Sequence, residues 1–248
     1  MPEPGDRRDH LGDNGVMTVP AVPTPERRQL RIATASGKVT VTAEDRSDIA
    51  VDRGGTVVTL GDGVVEVKPL KPSATLDVRC PTACDLVIGT ASGRVELRGL
   101  LGAVSVTSAS GSIRVAEVAE ADLRTQSGRV KIEGCRAGCR VATKSGSITV
   151  GAAGSADLST VSGTIHIARV DGEAVARTVS GGMTIGSSAA GPVRARSISG
   201  GITVHLPAGV RPAVKTTSAR AVGGGFEPGD DVLVEVGTVS GSVVVTAR

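Results

Sequence analysis

Aromatic residues are almost absent from this sequence, which has one Phe (Phe226) and no Trp or Tyr among 248 residues. Globular cores usually rely on some large rings, so this core must be built from Val, Ile, Leu, Ala and Thr. Small β-branched residues suit thin, stacked β-layers, and the 34 glycines indicate many sharp corners. The composition therefore favours a β-protein with many turns.

Long apolar runs are also missing. No stretch approaches the roughly 18 apolar residues of a membrane span, and the N-terminus lacks the apolar segment of a signal peptide. We therefore expect a cytoplasmic protein with no membrane span. The net charge of +3, from 28 basic and 25 acidic residues, is too small to indicate a nucleic-acid partner.

The chain divides into two parts. Residues 1–29 are rich in proline and charge and show no alternation, so we interpret them as a disordered leader. From Leu30 onward, apolar and polar residues alternate in short runs, as in strands, and no segment has a convincing helical period. The sequence predicts one all-β domain over residues 30–248.

Ser-Gly pairs repeat along this domain. Between Ser92 and Ser199 they are spaced by 17 to 19 residues, which predicts a β-solenoid with rungs of that length and a Ser-Gly corner in each rung. We expect regular rungs over residues 92–248 and irregular ones over 30–91, with three rungs between Ser36 and Ser92. A further corner is expected at Ser218-Ala219. The predicted corner glycines are Gly37, Gly93, Gly111, Gly128, Gly146, Gly163, Gly181, Gly200 and Gly241.

Each rung has a common plan. After a corner such as Ser110-Gly111, alternate residues such as Ile113 and Val115 are expected to point into one interior. A hydroxyl residue lies two positions before each corner, and stacking would form a ladder of mutually satisfied hydroxyls. Its predicted members are Thr34, Thr90, Ser108, Thr125, Thr143, Thr160, Thr178, Ser197, Thr216 and Thr238.

The array resembles a known bacterial family. The segment Ala74-Thr-Leu-Asp-Val-Arg-Cys-Pro, followed by Asp85-Leu-Val-Ile-Gly-Thr-Ala-Ser-Gly-Arg-Val-Glu-Leu, is similar to the opening of the adhesin-like, or toast-rack, β-solenoid domain. The resemblance covers about residues 30–248. It implies a domain of unknown function with no catalytic or ligand residues to carry over, and relatives that are tethered to membranes or linked to envelope-stress systems.

Catalytic constellations are not evident. The serines belong to a repeat, and no nucleophile-elbow motif is present. His166 and His205 alternate with inward residues and should face solvent, while His10 lies in the leader. Carboxylates at Glu96, Asp122 and Asp157 should lie on outer faces, but nothing selects a working pair. We predict a protein that is not an enzyme and that uses no metal or cofactor; a polysaccharide-active enzyme is the least favoured alternative.

Four cysteines form two pairs with three intervening residues, Cys80 with Cys84 and Cys135 with Cys139. Counting corners places the pairs three rungs, about 14 Å, apart, too far for one four-thiolate zinc site. We expect Cys84 and Cys139 to fill small buried positions equivalent to Ala121 and Ala156. Local disulfides or a thiol switch, and separate metal sites, stay open as alternatives.

A basic stripe is the candidate binding surface. Arg177, Arg196 and Lys215, with Arg194 beside them, are expected on consecutive rungs with no acidic column at that position. Ordinary solubility is one explanation for the stripe. The alternative is an anion-binding surface for lipid headgroups, an acidic protein or nucleic acid. Nucleic acid is disfavoured, because single strands usually stack on aromatic rings and this sequence has almost none.

The chain ends in an apparently uncovered strand, Val239 to Arg248, which would invite end-to-end self-association. Two functions follow. The first is a non-catalytic, adhesin-like scaffold or interaction module for a protein or envelope component. The second is a self-assembling cytoplasmic structural protein, which resembles the polymer-forming bactofilins in being a bare β-stack.

Overall fold

All regular elements in the described part of the chain are β-strands. The computed structural model describes residues 29–60, 63–187, 191–218 and 220–247. The predicted leader therefore lies outside the described residues, except for Gln29, which begins the first strand. The strands are β1 Gln29–Glu44, β2 Ala50–Arg53, β3 Gly55–Thr59, β4 Val64–Pro69, β5 Leu76–Pro81, β6 Asp85–Ser110, β7 Ile113–Ser127, β8 Val130–Ser145, β9 Ile148–Ser162, β10 Ile165–Val170, β11 Ala174–Ser180, β12 Met183–Ser187, β13 Val193–Ser199, β14 Ile202–Leu206, β15 Pro212–Thr216, β16 Ala221–Gly224, β17 Val232–Ser240 and β18 Val243–Ala247.

The strands stack in parallel as a β-solenoid, as the repeat predicted. Ser127 lies opposite Ser145, and Ser145 opposite Ser162, so the Ser-Gly corners are in register from rung to rung. We call the segment before each corner the front half of the rung and the segment after it the back half. At the other edge of the stack, register shifts in the ladders mark a second bend, for example between Val118 and Ala121.

Both halves of every rung contribute to one hydrophobic core. Leu123 in a front half and Val115 and Ile132 in back halves are fully buried in the same cluster. Alternation along each strand sends every second side chain inward, which explains how short aliphatic residues fill the space. The single aromatic residue, Phe226, packs against the C-terminal end of this core rather than inside it.

The corner glycines are needed for two reasons. Gly128 has φ +135°, a conformation that disfavours any residue with a Cβ. A methyl group there would also overlap the backbone carbonyl oxygen of Gly111 in the neighbouring rung. The same stacking recurs at Gly146 over Gly128 and at Gly163 over Gly146. Corner backbones therefore lie too close together for side chains.

The hydroxyl ladder forms beside these corners. Thr125 lies opposite Thr143, and Thr143 opposite Thr160, all buried. The expectation that the hydroxyls satisfy one another was wrong, because Thr125 Oγ1 donates instead to the carbonyl of Ser127 at 3.1 Å. Thr216 is not part of the ladder, since it lies opposite Val236.

The N-terminal end differs from the predicted succession of three rungs. Ser36 lies directly opposite Ser92, so β1 and β6 are adjacent rungs. The intervening chain instead builds one parallel rung from β4 and β5, which pairs with β1 on the side away from β6. Strands β2 and β3 pair with β5 and β4 in antiparallel orientation and cover the outer edge of that rung. The chain between β4 and β5 stacks beside the first Ser-Gly corner, since the Pro72 carbonyl accepts the backbone N–H of Ser36.

The C-terminal end also departs from chain order. Strands β17 and β18 insert between β13–β14 and β15–β16, and pair in parallel on both sides. The predicted uncovered edge at residues 239–248 is therefore wrong: β15 and β16 form the outermost rung. Ser218 lies in the turn between β15 and β16 and donates to the Gly241 carbonyl, as a corner residue would, while Ala219 lies outside the described residues.

Candidate interaction surface

The structure divides the predicted basic stripe. Arg177 lies opposite Arg196 on the outer side of the front halves, as expected. The next residue in that row is Gly237, because β17 inserts there. Lys215 instead lies opposite Glu235, which lies opposite Arg194. The predicted three-rung column was thus wrong for Lys215, which belongs to the row of Arg194 two rungs further along.

Acidic residues accompany part of the stripe, contrary to expectation. Arg177 pairs with Asp157 at 3.2 Å, and Arg194 pairs with Glu173 and, at 3.3 Å, with Glu235. Such exposed pairs contribute little stability, but they neutralise two of the four cations. Arg196 and Lys215 have no ion-pair partner among the described residues. The available positive charge of the stripe is therefore concentrated at these two side chains.

A groove of about 750 Å³ lies between these two cations. Gly237 follows Arg196 in its row, and the Thr217 hydroxyl occupies the space where a Cβ of that residue would lie. Glu235 also lines the groove, but its carboxylate is engaged by Arg194. The groove thus offers two unpaired cations beside apolar and hydroxyl surface.

An aliphatic ridge borders this groove, and sequence reasoning missed it. The residue immediately before the Ser-Gly pair points outward, and on four adjacent rungs it is a large aliphatic residue. The exposed fractions are 51% for Val161, 43% for Val179, 54% for Ile198 and 81% for Val239. We call these four residues the corner ridge. Three rung intervals give it a length of about 14 Å.

A signal for the ridge was available in the repeat itself. The equivalent positions of earlier rungs hold small or polar residues, Ala35, Ala91, Ala109, Gln126 and Lys144. A run of four large aliphatic residues at the same solvent-facing position of adjacent rungs forms a continuous exposed apolar column. Comparing the same position between repeats would have revealed it.

The two cysteine pairs are each brought together by a bend. Cys135 and Cys139 are buried, and their thiols hydrogen-bond, which lowers the pKa of Cys135 and raises that of Cys139. Cys139 lies between Ala121 and Ala156, as predicted.

The second pair differs in its setting. A hydrogen bond with Cys84, together with burial, raises the pKa of Cys80. Cys84 does not occupy the position equivalent to Ala121, because it lies in the turn before β6, where its carbonyl accepts the Gly102 N–H. None of these four cysteines, all within the described ranges, forms a disulfide, and all four are buried. Their role as redox pairs stays a prediction.

The other predicted candidates stay apart. His166 is exposed, and His205 is half-buried with Nδ1 2.9 Å from Thr246 Oγ1. Glu96 lies on the back halves and Asp122 on the front halves. Within the described ranges, no three His, Cys, Asp or Glu side chains group as metal ligands would. No described segment forms a helix long and apolar enough to cross a membrane.

These features define the class of protein: a parallel β-solenoid with glycine-stacked corners and antiparallel strands covering its N-terminal end. The sequence profile of the Toastrack DUF4097 family matches residues 12–246, so the chain belongs to that family. No curated protein matches it significantly.

Solved structures resemble the chain along nearly its full length. A "putative adhesin" from Bacteroides fragilis NCTC 9343 is 13% identical, with a TM-score of 0.46, over 94% of this chain and 97% of that one. A "putative adhesin" from Parabacteroides merdae ATCC 43184 is 11% identical, with a TM-score of 0.32, over 94% and 97%. At these values, neither similarity identifies a ligand or an activity.

Proposed function

We propose that the protein is a non-catalytic interaction scaffold that binds a partner protein along the corner ridge and the adjoining basic groove. The observation that carries this proposal is the exposed aliphatic column Val161, Val179, Ile198 and Val239. Contiguous exposed apolar residues rimmed by polar ones are typical of protein-binding surfaces.

The chemistry of the surface specifies the partner. Arg196 and Lys215 are unpaired among the described residues and lie beside the ridge, at the groove that Val239 also lines. A segment with aliphatic residues for the ridge and carboxylates for these cations would match both features, and complementary charge also steers association. The partner is therefore expected to present an acidic, partly apolar segment.

The test uses the paired substitutions Val179→Ser and Ile198→Ser on the full chain. Both side chains are about half exposed, so the fold should be unaffected while capture of the partner falls at least tenfold. A carbodiimide joins lysine amines directly to carboxylates in contact. In wild type we expect it to couple Lys215 to an aspartate or glutamate of the captured protein, as read by mass spectrometry.

Leu70→Ser is the control, because Leu70 is an exposed aliphatic residue, at 68%, that follows β4 at the N-terminal end of the stack. It should capture the partner as wild type does. Equal capture by wild type, the ridge variant and the control, or crosslinks confined to other lysines, would overturn the proposal.

A second candidate function, end-to-end self-assembly, rests on the outermost rung. Strand β16, Ala221–Gly224, is exposed along its whole length and has no charged side chain. Among the described strands it pairs with β18 on one edge only. An uncharged, unpaired edge is a template for another chain.

End-to-end assembly would be measured by light scattering, as a molar mass that increases with protein concentration. Val222→Lys should restore a constant monomer mass by placing a charge at the edge. Val87→Lys, at an exposed position on an internal rung, should leave the growth unchanged. A constant monomer mass of the wild-type chain at all concentrations would exclude this function.

The location of the protein in the cytoplasm stays a prediction from the sequence.

A further inference from the structure

A second groove lies on the opposite side of the Ser-Gly corners, on the back halves of three adjacent rungs. Its volume is about 410 Å³, and its lining includes Arg94, Ser112, Arg114, Arg129 and Lys131. It shares no residue with the groove beside the corner ridge. It is therefore a separate surface with a much higher density of positive charge.

The stacking explains the shape of this groove. The backbone N–H of Val95 bonds to the Ser112 carbonyl, and that of Ile113 to the Arg129 carbonyl, so Ser112 lies between Arg94 and Arg129 in one row. The Cα atoms of these two arginines are thus about 10 Å apart, which is two rung spacings. The small Ser112 side chain leaves the space between them open and places a hydroxyl donor in it.

Arginine side chains in the groove lack acidic partners. Arg94, Arg114 and Arg129 are exposed, and none has an ion-pair partner in the described part of the chain. Lys131 is paired with Glu133 at 3.3 Å. The groove therefore contains three uncompensated guanidinium groups on three consecutive rungs.

The one acid in the groove is already neutralised. Glu96 lies opposite Arg114, yet its carboxylate is bound by Lys38 at 3.0 Å and by Arg98 at 3.1 Å. The hydrogen bond from Lys38 is the main cause that lowers the pKa of Glu96; burial opposes it, and the hydrogen bond from Arg98 adds to the lowering. Glu96 thus stays charged, and its charge is balanced by Lys38 and Arg98 rather than by the three arginines.

We propose that this groove binds phosphate esters, with Arg94, Arg114 and Arg129 holding the phosphate oxygens and the Ser112 hydroxyl donating a hydrogen bond. Guanidinium forks match phosphate oxygens in pairs. A ligand with two or more negative charges balances three cations better than a single carboxylate does. The volume lies in the range of small-molecule sites, about 300–1,000 Å³, which leaves room for a diphosphate or for the group that carries the phosphate.

The test is calorimetric titration of the full chain with sodium pyrophosphate at low ionic strength, where screening is weak. We expect saturable binding that becomes at least tenfold weaker in Arg94→Gln/Arg129→Gln. The control Arg136→Gln/Arg169→Gln removes the same charge from arginines paired with Glu117 and Asp171. It should bind within about twofold of wild type.

Vesicles distinguish the two sources of phosphate. Sedimentation with phosphatidic-acid vesicles but not with phosphatidylcholine vesicles, lost in Arg94→Gln/Arg129→Gln, would identify a lipid headgroup. Pyrophosphate binding without vesicle binding would identify a soluble phosphate ester. Absence of binding to both, or equal losses in the two double variants, would overturn the proposal. Val179→Ser/Ile198→Ser should bind pyrophosphate as wild type does. The phosphate-binding proposal and the corner-ridge proposal can therefore be refuted independently of each other.

Discussion

Replacing Gly128 by alanine is expected to destabilise the protein by about 2–6 kcal/mol. Strain from placing a Cβ at φ +135° costs about 1–3 kcal/mol, and overlap with a neighbouring group in a packed region costs about 1–3 kcal/mol more. The overlapping group is the backbone carbonyl of Gly111, a residue whose N–H is bonded to the Ser127 carbonyl. It cannot move without shifting the adjacent rung. Urea denaturation followed by circular dichroism measures the change.

Gly138→Ala is the matched control in the next strand. A methyl group there would meet only the Glu120 and Ser155 side chains, at 3.8 and 3.9 Å, which is ordinary contact. Its stability should stay within about 1 kcal/mol of wild type, or rise slightly, because alanine restricts the unfolded chain. Similar losses for Gly128→Ala and Gly138→Ala would show that the stacked corners are not the cause.

Val245→Lys is expected to destabilise the protein by about 3–5 kcal/mol. Val245 is 2% exposed and lies between Val204 and Gly223 in the stack. An ammonium group at that position loses its hydration, so burial lowers its pKa well below that of an exposed lysine. Because the unfolded chain then binds the proton more tightly, stability relative to wild type should fall further as pH is lowered from 10 to 7. Thermal unfolding across this pH range measures both effects.

The neighbouring variant Val244→Lys separates burial from position. Val244 lies between Thr203 and Val222 on the outer side of the same strand and is half-buried. Its replacement should cost less than about 1 kcal/mol and show no such pH dependence. Equal destabilisation by the two variants would indicate that β18 is an uncovered edge after all.

The repeat predicted the interior of the solenoid well. Residues at +2 and +4 from each corner glycine were expected to point inward, and pairs such as Ile113 and Val115 are buried. The reason is that corner spacing and two-residue alternation together assign each side chain to a face. Position within a rung is a local property, so the sequence alone specifies it.

The order of the rungs at the two ends was not predictable in the same way. A repeat shows that Ser199 and Ser240 occupy equivalent positions. It does not show that they lie on neighbouring rungs, with β15 and β16 outside them. That arrangement depends on which segments cover the ends of the core, where Val210 and Phe226 pack. For this reason the sequence did not predict that Lys215 lies in the same row of stacked residues as Arg194.

The outermost rungs at both ends of the solenoid are made of internal segments of the chain, and this affects how the solenoid unfolds. In a linear array, unfolding starts most easily where a terminal strand peels away with one end already free. Here the outermost parallel rungs, β4–β5 and β15–β16, are internal segments joined to the stack on both sides, while β1 and β18 lie one rung further in. Detaching an outer rung releases only a closed loop, whose gain in chain entropy is smaller than that of a free tail. The ends of the array are thus tethered against fraying by the path of the chain itself.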